Sequence, residues 1–119
     1  IGSPAMNLIQ GTLDGDHFVS SNGTRVAVGR TVPNSQGRKV TLGVRPEHFA
    51  LDPNGAEAEI VTVEPTGSET QITARLGEYI IRVLVRGRTD VRPGDTIHVS
   101  AKPADMHIFD TASGKRREA

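Results

Sequence analysis

Residues Lys39 to Leu51 read KVTLGVRPEHFAL. In the first half Val40, Leu42 and Val44 alternate with Thr41, Gly43 and Arg45. Alternation over six residues is the pattern of a half-buried strand. The second half sets Arg45, Glu47 and His48 around Pro46. Those residues fit either a charged catalytic cluster or a strand that ends in a tight turn. Proline disfavours helical geometry in the residue before it, so Arg45 is expected to close the strand in extended form. Pro46 is preset for the first position of a helical turn, and Glu47 suits that turn's positive end. PEHF then reads as one short turn with Phe49 pointing back to the core. A catalytic pair would also need a pocket, a perturbed pKa and supporting motifs. No second catalytic motif is present, so the turn is the preferred reading.

The period of two extends outward from this segment. Ile72, Ala74 and Leu76 alternate with Gln71, Thr73 and Arg75, and Ile97, Val99 and Ala101 with Thr96, His98 and Ser100. YIIRVLV (Tyr79 to Val85) is apolar at both parities except for Arg82. It reads as a central strand covered on both sides, with a partner chain as one possible cover. Asn22-Gly23, between HFVS and TRVAV, predicts a hairpin with a type I′ turn. Asn22-Gly23-Thr24 also fits the N-glycosylation pattern, but nothing in the sequence suggests secretion and the turn is preferred. Gly77-Glu78 predicts a two-residue hairpin, and RPGD (Arg92 to Asp95) a proline–glycine turn. The stretches 30–39 and 52–58 read as exposed loops, and the polar tail 111–119 as frayed. No stretch of a dozen residues carries a helical stripe. Many short strands separated by turns imply a sandwich or a small barrel.

The chain has 119 residues, enough for one domain with its own core. It has no cysteine, which removes disulfides, thiolate metal sites and a cysteine nucleophile. No apolar run approaches the ~20 residues of a membrane span. The start, IGSPAMN, lacks the basic and apolar regions of a secretory signal. Fourteen basic side chains balance 14 acidic ones, without the basic excess usual in nucleic-acid domains. Arg82, Arg86, Arg88 and Arg92 cluster in sequence, but no aromatic partner accompanies them and a solvated face is the simpler reading.

The search for chemistry finds little. Neither Gly37-Arg38 nor Gly114-Lys115 sits in the G-x-x-x-x-G-K-[ST] frame of a phosphate-binding P-loop. No serine has the context of a nucleophile elbow. His17, His48, His98 and His107 are too scattered to give a zinc motif. In VEPTGSET (Val63 to Thr70), Gly67 and Ser68 could offer anion donors, but Glu64 and Glu69 would repel an oxyanion. The plain reading is a wide turn between strands. The sharper one is a contact loop in which Glu69 meets a donor on another chain or domain.

Four segments in register carry a resemblance. IGSPAMN (Ile1 to Asn7), GVRPEH (Gly43 to His48), VEPTGSETQI (Val63 to Ile72) and HIFD (His107 to Asp110) resemble the C-terminal regulatory region of the ATP-binding subunits of bacterial sugar importers, of the maltose and sn-glycerol-3-phosphate type. The resemblance runs from Ile1 to about Gly114. It implies an all-β, OB-fold-like transport-associated small barrel with hairpin extensions and at most one short helical turn, its core at about residues 39–112. It implies a single regulatory region, 1–119, whose nucleotide-binding domain lies outside this chain. This chain would then carry no catalytic residue, metal or cofactor site, and ATP and Mg²⁺ would belong to the missing domain. The implied partners are a second copy through the regulatory region, the importer's transmembrane subunits through the ATPase domain, and in some members a regulatory protein; no nucleic acid is implied. The implied location is cytoplasmic, peripheral on the inner face of the membrane. Arg45, Glu47, His48, Gly67, Ser68 and Glu69 are the expected partner or regulatory contacts. A small oxyanion or sugar-phosphate module is the alternative reading, and an OB-type nucleic-acid binder a third. Thr66 stands where a bulkier apolar residue is common, and the polar 30–39 loop matches no family motif, so no particular regulator or solute is implied.

Overall fold

The computed structural model describes residues 5–117. Ile1 to Pro4 of the IGSPAMN segment, and the last two residues of the tail, lie outside the described residues. The strands are β1 (Asn7–Asp14), β2 (His17–Ser20), β3 (Arg25–Ala27), β4 (Lys39–Val44), β5 (Ala50–Pro65), β6 (Glu69–Leu76), β7 (Tyr79–Arg86), β8 (Thr96–Ser100) and β9 (His107–Asp110). Two 3-10 turns, Pro46–His48 and Pro103–Asp105, complete the regular structure. One sheet runs β3-β2-β1-β4-β9 and the other β7-β6-β5-β8. All the strand pairings are antiparallel.

The segment 39–51 decides the fold because it is where the chain crosses from one sheet to the other. β4 ends at Val44, Arg45 is extended (φ −71°, ψ 147°), and the His48 amide donates to the Arg45 carbonyl at 2.9 Å. Pro46 and Phe49 are buried, and β5 starts at Ala50 in the second sheet. The turn reading therefore holds.

The alternating residues meet between the sheets. Ile9, Leu13, Phe18, Val40, Leu42, Val44 and Ile108 come from the first sheet, and Ile60, Ile72, Leu76, Ile81, Val83 and Val99 from the second. Each such side chain contributes about 1.5–3 kcal/mol relative to exposure. Gly11 lets β1 bend across β2: a Cβ there would collide with the Val19 carbonyl oxygen and come within 2.7 Å of the Phe18 ring. The result is an all-β, OB-like fold with two short helical turns.

Several local expectations are corrected. β7 is the edge strand of its sheet, not a central one. Ile81 and Val83 are buried, while Ile80 on the other face is 48% exposed. Its apolar run reflects a half-covered face and not two covered ones. Residues 52–58 are not a loop between strands but part of β5, because Leu51 and Ala56 both pair with Val99 and the residues between them form a bulge. Gly55 passes against the Val99 backbone with no room for a Cβ, which lets pairing resume. The 30–39 loop is anchored, since Val32 and Ser35 are buried. The tail returns to β9 and does not fray through Arg117: the Asp110 amide donates to the Lys115 carbonyl, and the Arg117 amide to the Ile108 carbonyl, both at 2.7 Å. Asn22-Gly23 does lie in a hairpin, but only Gly23 has positive φ (91°), and the Gly23 amide donates to the Ser20 carbonyl. Ser21 and Asn22 are thus the turn's central residues, followed by a glycine bulge, and the turn is not type I′. The other turns form as read: Gly77-Glu78 joins Leu76 to its partner Tyr79, and the Asp95 amide closes RPGD on the Arg92 carbonyl at 3.0 Å.

Candidate functional site

The six expected contact residues fall on two turns that flank β7. The turn Pro46–His48 packs on β7. Glu47 is exposed, and His48 turns away from it toward the second 3-10 turn, with Nδ1 3.8 Å from Asp105 Oδ1. Both side chains are about one-third exposed, so the pair is a weak one. His48 and Asp105 line a cleft of about 460 Å³ with Phe49, Ser100 and Lys102. The charge of Arg45 acts on another group, His107, whose pKa it helps to lower. Arg45, Glu47 and His48 are therefore adjacent in sequence but do not converge in space.

The second turn is tight, not wide. The Thr66 amide and hydroxyl both donate to the Glu69 carbonyl, at 2.8 and 3.2 Å, and Gly67 has φ 89°. The Ser68 carbonyl accepts from the Gly87 amide at 2.7 Å, and the buried Thr70 hydroxyl donates back to the Gly87 carbonyl at 2.7 Å. Glu69, half-buried, stands opposite Arg86 across the β6–β7 ladder. This geometry satisfies the turn's backbone internally and leaves Gly67 and Ser68 exposed as a surface. Among the described residues no hydrogen bond or ion pair joins the two turns. The first turn packs on β7, and the second bonds to Gly87 just after its end.

A second surface escaped the sequence reading. On the outer face of the first sheet, Leu8, Gly43 and His107 pair across three strands in one row. Leu8 is 58% exposed. A Cβ on Gly43 would lie 2.5 Å from Met6 Sδ, 3.0 Å from the Phe109 ring and 3.5 Å from Leu8 Cδ2, so these side chains close over the glycine. Beside the row, Arg116 sits 5.6 Å from the Phe109 ring centroid. His107 is held below the usual histidine range by burial first, then by the charges of Arg116, Arg45 and Arg30, with Asp105 opposing them. The available signal was the outward parity of His107 and Phe109 in HIFD, but nothing in the sequence places Leu8 or Arg30 beside them.

Two packed antiparallel sheets with strand exchange at a short helical turn define a small OB-type β-domain. Residues 2–49 match the family model described as the MalK OB fold domain, and residues 42–109 the TOBE domain. The chain belongs to the TOBE domain family, and its relatives are ATP-binding proteins of ABC transporters. It is 39% identical over 120 residues to the uncharacterized ABC transporter ATP-binding protein y4oS of Sinorhizobium fredii, covering 98% of this chain and 32% of that protein. It is 36% identical over 122 residues to the sn-glycerol-3-phosphate import ATP-binding protein UgpC of Yersinia pestis, covering 99% of this chain and 34% of that protein. The chain thus spans about a third of the length of these relatives. Among solved structures, the cytoplasmic molybdate-binding protein ModG, with molybdate bound, superimposes with a TM-score of 0.71 at 17% identity, over 91% of this chain and 98% of that one. That likeness is one of fold. Among the described residues no helix is long and apolar enough to cross a membrane.

Proposed function

We propose that this chain is the regulatory and dimerisation region of the ATP-binding subunit of an importer for sugars or sn-glycerol 3-phosphate. The observation that carries the reading is the match of both domain families across residues 2–109 of this chain, together with its similarity to an ABC transporter ATP-binding protein and to an sn-glycerol-3-phosphate import ATP-binding protein. In this reading the region is a single unit that hydrolyses nothing itself. ATP and Mg²⁺ belong to a nucleotide-binding domain elsewhere in the parent protein, which also contacts the transmembrane subunits at the inner face of the membrane.

The two turns that flank β7, with Arg45, Glu47 and His48 on one and Gly67, Ser68 and Glu69 on the other, form the contact edge for the second copy. The exposed row through Leu8 offers a separate surface for a regulatory protein. Regulation then works by differential binding: a partner that prefers one arrangement of the dimer shifts the ATPase by no more than that preference. A coupling of about 1–3 kcal/mol corresponds to a 5- to 150-fold effect. The test is Glu69→Lys in the full-length protein, read by dimer affinity and by ATPase regulation. A weakened dimer with altered regulation is the expected result; wild-type values for both would remove Glu69 from the interface.

A further inference from the structure

The chain carries two Asn-Gly pairs, at 22–23 and 54–55. Asparagine is thermolabile, and a following glycine makes it more so, because no side chain shields the next amide nitrogen from the carboxamide. Both asparagines are exposed, so exposure does not separate them. Their hydrogen bonds do. Asn22 Oδ1 accepts from the Ser20 hydroxyl, from the Thr24 amide at 3.2 Å and from the Thr24 hydroxyl at 2.9 Å. The Gly23 amide donates to the Ser20 carbonyl at 3.0 Å. The Asn22 carboxamide also packs on the next hairpin, where a Cβ on Gly77 would lie 2.7 Å from Oδ1. At 22–23 both groups that would have to react are therefore engaged. Asn54 stands in the β5 bulge, where residues 52–55 have no partner in the register that takes Leu51 and Ala56 to Val99. Its amide donates to Asp52 Oδ1 at 2.9 Å, but among the described residues its carboxamide makes no hydrogen bond.

We propose that Asn54 is a site of covalent modification, deamidating through a succinimide with Gly55, while the fold protects Asn22. The deprotonated Gly55 nitrogen attacks Asn54 Cγ, the Cγ–Nδ2 bond breaks and ammonia leaves. Water then opens the five-membered ring. Cleavage at Cγ gives aspartate, and cleavage at the main-chain carbonyl gives isoaspartate. The net change is one water consumed and one ammonia released, with no oxidation or reduction. Either product adds a negative charge two residues from Asp52, whose carboxylate already accepts the Asn54 amide. Isoaspartate also inserts a methylene into the main chain just before Gly55. Gly55 lies against the Val99 backbone with no room even for a Cβ, so a longer chain there disturbs the point at which β5 resumes pairing with β8.

The test incubates the folded 119-residue chain in mildly alkaline buffer, with a parallel sample in urea, and maps both by mass spectrometry with fragmentation that tells isoaspartate from aspartate. In the folded chain Asn54 is expected to convert about tenfold faster than Asn22, the order expected where a hydrogen-bonded turn must open first. In urea the two rates should converge. Asn54→Gln, which leaves Gly55 in place, should remove the fast product. Equal rates at the two sites in the folded chain would overturn the proposal. A difference that persisted in urea would do the same, because local sequence would then explain it. The isoaspartyl chain, separated by its added charge, should show faster hydrogen exchange at the β8 amides. Exchange equal to that of the unmodified chain would overturn the effect on the ladder. None of these outcomes depends on whether the chain regulates an ATPase.

Discussion

Asn7 and Arg82 are 75 residues apart, yet the side-chain amide of Asn7 makes both hydrogen bonds that a neighbouring strand would make to Arg82. Asn7 Nδ2 donates to the Arg82 carbonyl and the Arg82 amide donates to Asn7 Oδ1, each at 2.8 Å. Asn7 is buried at the start of β1, in the first sheet, and Arg82 lies on the edge strand of the second. One side chain thus links the two sheets and blunts an exposed edge that would otherwise invite pairing with another chain.

Asn7→Ala is expected to cost about 1–3 kcal/mol, since it leaves two backbone groups unpaired. Urea unfolding measures this cost, and hydrogen exchange at the Arg82 amide localises it. The variant should also self-associate more readily in sedimentation, through the freed edge. Unchanged exchange at Arg82 would show that the amide pair does not protect the strand.

The glycines at 11 and 43 should respond differently to a single added methyl. At Gly11 the obstacle includes the Val19 backbone carbonyl, which cannot move without breaking the β1–β2 ladder. At Gly43 the nearest atom belongs to the flexible Met6 side chain. Gly11→Ala is therefore expected to cost about 1–3 kcal/mol or more, and Gly43→Ala clearly less. Thermal melts of the two variants compare them directly.

Leu8 and Leu42 lie one position out of direct register on neighbouring strands and face opposite ways. Leu42 is fully buried, and Leu42→Ala should destabilise by about 2–5 kcal/mol. Leu8 is 58% exposed, and Leu8→Asp should leave stability within about 0.5 kcal/mol of wild type. On the function proposed above, the same Leu8→Asp in the full-length parent is expected to weaken regulation by a protein partner while leaving basal ATPase activity intact.

The pH dependence has two parts. His107 titrates below its ordinary 6.5 in the folded chain, so the unfolded chain binds more protons as the medium is acidified. Stability should fall as pH drops from 6.5 through the folded-state pKa, and His107→Gln should flatten that part of the profile. Asp110, lowered from 3.8 chiefly by hydrogen bonds from Ser113, and Asp52, lowered chiefly by the Asn54 amide, lose stabilisation only on further acidification below that value. Chemical denaturation at a series of pH values separates the two windows.

Strand class, most turns and the inward faces followed from local chemistry alone. Alternation in β4, β6 and β8 is imposed by the pleat. Proline at 46 and 93 fixes φ, and glycine at 77 and 94 admits the positive φ those turns need, wherever they stand, so the sequence determined those elements without knowledge of their neighbours. The bulge at 52–55, the edge position of β7 and the anchored tail depended on partners distant in the chain. Turn-forming residues look alike in a loop and in a bulge, and an apolar run does not reveal which side finds a cover. The sites divide in the same way. The turn at 45–48 was legible because its proline chemistry is local; at 66–69 a turn was legible but not its tightness, which the Thr66–Glu69 hydrogen bonds set. The Leu8–Gly43–His107 row, and the meeting of Arg30 with Arg116, exist only because β1, β4 and β9 pair in one register and the tail folds back. Long-range hydrogen bonding sets that register, and no short window of sequence encodes it.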